Sequence, residues 1–163
     1  MCYNKNEEIS CTCNERKEKA MQSLNRLIGA ISRCAALWRT ERLAGTGVGP
    51  HDHPYLFYIC HHPGVSQDAL CRALYVNKSS VTRHIAHLEE EGFITRRPAE
   101  NDRRVLQVFP TEKGMEALPL LRQVAAEWNA AITGGFSEQE RELFSDLLER
   151  AMQNAKDKLE VKP

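Results

Sequence analysis

The chain has 163 residues, with 22 Lys and Arg against 22 Asp and Glu, 42% hydrophobic residues, and only 9 Gly and 7 Pro. This composition describes one ordered domain able to bury a core, and its zero net charge argues against a uniformly basic nucleic-acid binder. No run of 18 apolar residues occurs, which excludes a membrane-spanning helix; residues 1–19 are too polar for a signal peptide, and a cytoplasmic protein is expected.

Six cysteines in such a compartment read as thiols or metal ligands rather than a disulfide framework. Residues 1–19 form an amino-terminal arm carrying Cys2, Cys11 and Cys13. Thr12 and Glu15 have the spacing of a capping box, which would place Cys13 at the first position of a helix. Unpaired N–H groups and the helix dipole would favour its thiolate there, and Cys2 could resolve an oxidised partner. A disulfide between Cys11 and Cys13 would be strained.

Residues 20–50 predict a first long helix and a loop. Met21, Leu24, Ile28, Ile31, Ala35 and Trp38 keep one face apolar, and Ala20, Leu27 and Cys34 widen it beyond what one buried face needs. His51 and His53 fall in the loop that follows, and with Cys11 and Cys13 they offer imidazole and thiolate ligands for zinc or another transition metal. His61-His62, between Cys60 and Pro63-Gly64, reads equally well as an exposed turn, with Cys60 buried.

Residues 51–110 contain the most informative pattern. Gln67 to Leu74 predicts a short helix, Tyr75-Val76 a tight turn, and Asn77 the cap of a second helix whose Val81, Ile85 and Leu88 form a buried stripe. The opposite face, with Asn77 at its start, carries Lys78, Ser79, Ser80, Thr82, Arg83 and His84; all seven are candidate DNA contacts, short or cationic groups suited to base edges and phosphates in a major groove. Gly92 ends that helix. Phe93 to Arg97, with Arg96 among its basic residues, and Val105 to Phe109 predict two strands joined by the turn Ala99-Glu100-Asn101-Asp102. A hairpin with Arg103 and Arg104 at its tip suits the narrow minor groove, where negative potential is concentrated. A helix-turn-helix alone is often a plain helical hairpin; the basic wing at this spacing is what points to DNA. Charge distribution agrees: residues 72–83 hold three basic groups and no acid, residues 96–104 four basic and two acidic, and residues 111–163 ten acidic and seven basic.

The run Leu88-Glu89-Glu90-Glu91-Gly92-Phe93-Ile94-Thr95-Arg96, then Asp102-Arg103-Arg104, then Thr111-Glu112-Lys113-Gly114, resembles the pattern of MarR-family transcriptional regulators. The resemblance covers roughly residues 20–155 and departs from the pattern at Phe109-Pro110, where an apolar residue other than Pro usually precedes the Thr. It implies that Asp102 and Arg104 pair to fix the wing beside Arg103. It further implies a mainly α fold with a β-hairpin wing, a winged helix-turn-helix in a helical two-fold dimer. A cleft between dimer helices and reading head, binding small aromatic acids in some members, is also implied; Trp38, Tyr55, Tyr58 and Trp128 are candidates to line it. As plain packing, those aromatics need no ligand. The family's peroxide-sensing branch keeps a cysteine in the early turns of helix 1, whereas residues 20–32 contain none here.

Residues 111–163 predict the remaining dimerisation helices. Leu118, Leu121, Ala125, Trp128 and Ile132 mark one, with Pro119 kinking it near its start; Ser137-Glu138-Gln139-Glu140 caps the last, whose Leu143, Phe144, Leu147, Leu148, Ala151 and Met152 form a wide stripe. Cys34 and Cys71 read as core residues. The expected function is a homodimeric DNA-binding regulator, a repressor released from a pseudo-palindromic operator on sensing a small molecule, an oxidant or a metal, with no cofactor required. A thiol- or metal-dependent redox protein is the first rival, but no catalytic constellation is found. A winged-helix protein-interaction module is the second, and the cationic Lys78, Arg83, Arg103 and Arg104 argue against it.

Overall fold

The computed structural model describes residues 5–160, with side chains over 24–158. Elements follow in the order α1 (Lys5–Arg42), α2 (His53–His61), β1 (Val65–Ser66), α3 (Gln67–Leu74), α4 (Lys78–Glu90), β2 (Ile94–Pro98), β3 (Leu106–Pro110), α5 (Glu112–Ile132) and α6 (Glu138–Glu160). They fall into two compact units, residues 1–124 and 125–163. The fold is mainly α, with one small antiparallel sheet of strand order β1-β3-β2.

The first unit is built around the reading head. Leu56 and Ile59 of α2, Leu70 of α3, Val81, Ile85 and Leu88 of α4, and Val108 of β3 are fully buried in one core that also takes in Leu118 and Leu121 of α5. The stripe on α4 is thus the one its three- and four-residue spacing predicts. Local chemistry fixes the ends of these helices. Ser66 Oγ accepts from the Ala69 N–H at 3.2 Å and Asn77 Oδ1 from the Ser80 N–H at 2.8 Å, satisfying first-turn donors that have no partner within the helix. Tyr75, at φ 54°, takes the left-handed conformation that turns the chain between α3 and α4. Gly92, at φ 76°, closes α4: its N–H bonds the Glu89 carbonyl and that of Phe93 bonds Leu88, the paired arrangement that caps helix carbonyls.

Two elements were not foreseen. The loop expected around His51–His53 leads directly into α2, where Pro54 is tolerated in the first turn and Tyr55, Leu56, Ile59 and Cys60 are buried. The wing hairpin gains a third strand, the two-residue β1, pairing Val65 with Val108 and Ser66 with Gln107. The wing itself pairs Ile94 with Pro110 and Pro98 with Leu106, so the strands begin and end one residue later than expected. The Pro110 joint is simple: Thr111 Oγ1 donates to the Gly92 carbonyl at 2.7 Å and accepts from the Gly114 N–H at 3.2 Å, starting α5 at once.

Helix α1 begins at Lys5, so Cys11 and Cys13 lie inside it and the expected start at Thr12–Cys13 is corrected. The helix-terminus argument for an acidic Cys13 therefore fails. Cys2, and the side chains of Cys11 and Cys13, lie outside the described residues. Pro119 sits within α5 without ending it.

In the second unit, Ser137 and Glu140 form the expected reciprocal cap: the Ser137 N–H reaches Glu140 Oε2 at 2.8 Å and the Glu140 N–H reaches Ser137 Oγ at 3.2 Å. The bond from the Ser137 backbone holds the Glu140 carboxyl below its ordinary range. Leu143, Leu147, Leu148 and Met152 of α6 are exposed, as are Leu24, Leu27, Ile28, Ile31 and Leu37 of α1 in the first unit. Among the described residues, no helix is long and apolar enough to cross a membrane.

Candidate nucleic-acid interface

Helix α4 buries Val81, Ile85 and Leu88, which turns Lys78, Ser79, Thr82 and Arg83 outward. The Lys78 ammonium lies 3.0 Å from Asp68, but both side chains are well exposed and the pair is weak in water. Thr82 Oγ1 donates back to the Lys78 carbonyl at 2.9 Å, and the residue is exposed. Asn77, named as a DNA contact, spends its side-chain oxygen on the cap and keeps the rest of its amide exposed.

Three of the expected contacts are turned to other work. Ser80 is half-buried, its hydroxyl 3.2 Å from that of Tyr55. The His84 ring stacks on Tyr55 at 4.6 Å, and its Nδ1 lies 2.6 Å from Oδ1 of the buried Asp52. His84 is therefore corrected from a base contact to a group facing the body of the head. Arg96 is corrected as well: its guanidinium grips Glu89, with Nε donating to Oε2 at 2.8 Å and the Arg96 backbone N–H reaching Oε1 at 3.2 Å. That bond raises the Arg96 pKa and lowers that of Glu89, and it ties the end of α4 to β2. Sequence reasoning read Arg96 by charge alone and missed Glu89 as its partner; a negative residue seven positions away is the signal that was available.

The wing tip is organised by Asp102. Its Oδ1 accepts from the Arg104 backbone N–H at 2.9 Å and its carbonyl from the Val105 N–H, also at 2.9 Å, while the Ala99 N–H closes the loop on the Val105 carbonyl at 2.8 Å. The resemblance implied a pairing of Asp102 with Arg104, and the bond runs through the arginine's backbone. Arg103 and Arg104 are both exposed as a result. Arg104 and Lys78 line one recess with Ser66, Gln67 and Asp68, at the amino terminus of α3. The Asp68 carboxylate offsets the Lys78 charge there, which leaves the Arg104 guanidinium as the cation of the recess that suits a phosphate oxygen.

The candidates for signal reception are dispersed. His53 is half-buried and its Nε2 donates to the Leu121 carbonyl at 3.1 Å; burial lowers its pKa, against the raising effect of that bond, and the nearby Arg39 charge lowers it further. His51 is exposed. His61 and His62, at the end of α2, bond the carbonyls of Phe57 and Tyr58 at 2.7 and 3.1 Å; His62 stacks on the Tyr58 ring and His61 lies tilted against that of Phe57. Among the described residues, no group of three His, Cys, Asp or Glu is placed to hold a metal ion. Tyr55 is buried in the core, Tyr58 is half-buried against His62, and Trp38 packs on the core with the Arg42 guanidinium 4.3 Å over its ring. Trp128 belongs to the second unit. Cys34, expected in the core, is exposed on α1, and Cys71 is half-buried against the core.

Cys60 is buried, with Sγ 3.6 Å from the Gly114 carbonyl, and burial pushes its thiol up to about 11. At pH 7 that leaves roughly one thiolate in 10⁴, so native protein treated with iodoacetamide is expected to keep Cys60 unmodified while unfolded protein loses it. Peptide mass spectrometry reads the outcome, and rapid labelling of Cys60 in the native state would show that the site opens.

Comparison with known proteins fits this geometry. A family model described as MarR family matches residues 46–105. The uncharacterized HTH-type transcriptional regulator YybA of Bacillus subtilis is 31% identical over 134 residues, covering 82% of this chain and 89% of the relative. The crystal structure of the transcriptional regulator SlyA superposes with a TM-score of 0.80 at 26% identity, over 84% of this chain and 96% of that one. A MarR-family regulator from Listeria monocytogenes, solved in complex with a 26-mer DNA, gives a TM-score of 0.76 at 28% identity, over 82% and 89% of the two chains.

Proposed function

The chain belongs to the MarR family of winged helix-turn-helix transcriptional regulators, and from that premise we propose that it is a homodimeric repressor which occludes a pseudo-palindromic operator and releases it on meeting an effector. Its relatives are transcriptional regulators and not enzymes. The observation that carries the reading is the joint exposure of Lys78, Ser79, Thr82 and Arg83 on α4 with Arg103 and Arg104 on the wing. The first set faces a major groove and the second an adjacent minor groove.

The dimer is supported by apolar rows that a lone chain would leave wet. Leu24 of α1 is 55% exposed and Leu143 of α6 is 58% exposed, each within a run of exposed Leu, Ile or Met. Two-fold pairing would set the recognition helices about 10 base pairs apart, so the operator repeats its half-site with that spacing. An effector that changes the distance between the heads by a few ångström breaks the fit to both half-sites at once. Acting on a promoter, the protein works in the cytoplasm.

Fluorescence anisotropy at fixed salt tests this, using DNA from upstream of the protein's own reading frame against random duplex. Preferential binding is expected; equal affinity for both would sink the proposal. Comparing reduced with peroxide-treated protein on the same DNA separates an oxidant from the other signals, and adding zinc or a chelator separates a metal. Arg83→Ala is expected to lower the ratio of operator to random affinity by about thirtyfold or more, since one good arginine contact to a base is worth ~1–3 kcal/mol and the dimer makes it twice. An unchanged ratio would mean that Arg83 does not read bases.

A further inference from the structure

The buried Asp52 belongs to no part of the interface, yet it holds the recognition helix from behind. It is 3% exposed and sits at the amino terminus of α2, where its side chain makes no cap. Its bonds go elsewhere: Oδ1 to His84 Nδ1 at 2.6 Å, Oδ2 to His87 Nδ1 at 2.7 Å and to the Gly49 N–H at 2.9 Å. An ionised carboxylate can only accept, so both imidazoles carry their proton on Nδ1. Nη2 of Arg83, which can only donate, stands 3.5 Å from the His84 Nε2, so that contact calls for a lone pair on Nε2, which the tautomer with its proton on Nδ1 supplies.

We propose that Asp52 is a positioning residue for DNA reading, fixing the tautomer of His84 so that its Nε2 holds the Arg83 guanidinium at the groove. The inference rests on the DNA-reading role given above. Tyr55 stacks on the His84 ring and His51 lies 6.4 Å from it, ring centre to ring centre, so the imidazole is wedged as well as bonded. A guanidinium on a free stem would lose its rotamer freedom at every encounter with DNA; one already tethered loses less. The gain falls on the contact that discriminates bases, not on attraction to phosphates.

Asp52→Asn supplies a sharp test because the group is nearly isosteric. Oδ2 serves two donors, Gly49 and His87, so the amide oxygen stays there and the amide NH₂ faces His84. To accept from it, His84 must move its proton to Nε2. Donor then meets donor, and Arg83 is released. The same logic disables a serine-protease triad when its Asp becomes Asn.

Nitrogen-15 NMR of the free protein is expected to show His84 protonated on Nδ1 in the parent and on Nε2 in Asp52→Asn. Operator affinity over random-DNA affinity should fall about tenfold in the variant, with random-DNA affinity unchanged. Added to Arg83→Ala, Asp52→Asn should cause no further loss, since without the Arg83 guanidinium His84 has nothing to position. Should Asp52→Asn fold poorly, His84→Phe keeps the stack on Tyr55, removes the relay and should behave alike in the same cycle. Full discrimination by the folded variant, an unchanged tautomer, or losses that add to those of Arg83→Ala would overturn the proposal. A parent protein that cannot tell operator from random DNA would instead overturn the DNA reading on which it stands.

Discussion

Gly114→Ala is expected to destabilise the protein by about 3 kcal/mol, against the gain that helix propensity alone would give. Gly114 lies in the first turn of α5 with ordinary helical backbone, where alanine is normally better by ~1 kcal/mol. Space reverses the sign. A Cβ at this position would collide with the Phe93 carbonyl at the head of the wing, and Leu56 Cδ1 stands behind at 3.5 Å. That carbonyl is already fixed by the Thr111 N–H at 3.0 Å, so it cannot turn away. Relief requires the start of α5 to move off the sheet, opening the junction around Leu56, Phe93 and Gly114. Urea unfolding followed by circular dichroism measures the loss. A variant as stable as the parent, or more stable, would show that α5 is not packed as described.

The second large effect is on binding. Arg104→Ala should weaken operator affinity by ~1–3 kcal/mol for each wing, and with two wings on one operator by about thirtyfold or more. The fold should be untouched, because Asp102 holds the Arg104 backbone N–H and not the guanidinium. The substitution thus removes a side chain from an intact tip. Losing one phosphate or groove cation per head should also reduce the slope of log affinity against log salt by about two for the dimer. Anisotropy titrations across a salt series read both quantities. Unchanged affinity with an unchanged slope would place the wing away from the DNA.

Several parts of this architecture were written locally and could be read in order. The Asn77 cap, the Val81-Ile85-Leu88 stripe, the stop at Gly92 and the Ser137-Glu140 box each depend on residues within one or two turns of each other. The basic wing followed from alternation and turn residues in the same way. What escaped was short or distant. Strand β1 has two residues and exists because β3 offers it an edge, which no periodicity over two positions can announce. Helix α2 is nine residues, too short for its stripe to outweigh the histidines at its ends. The start of α1 at Lys5 was missed because Thr12 and Glu15 mimic a capping box within a helix that simply continues.

Reading the residues in order was enough to settle the kind of protein: a helix-turn-helix with a cationic outer face and a basic wing, between helices with wide apolar stripes. It did so because those features are set by side-chain type at fixed spacing along one element. Which of the polar groups on that surface are left exposed was settled by packing alone. His84 and Arg96 carry the same local signals as Arg83 and Arg104, but Asp52, 32 positions away, and Glu89, on the neighbouring element, claim them. A hydrogen-bonding side chain goes to the partner that the fold brings within reach, and that partner's position is a property of the packed core.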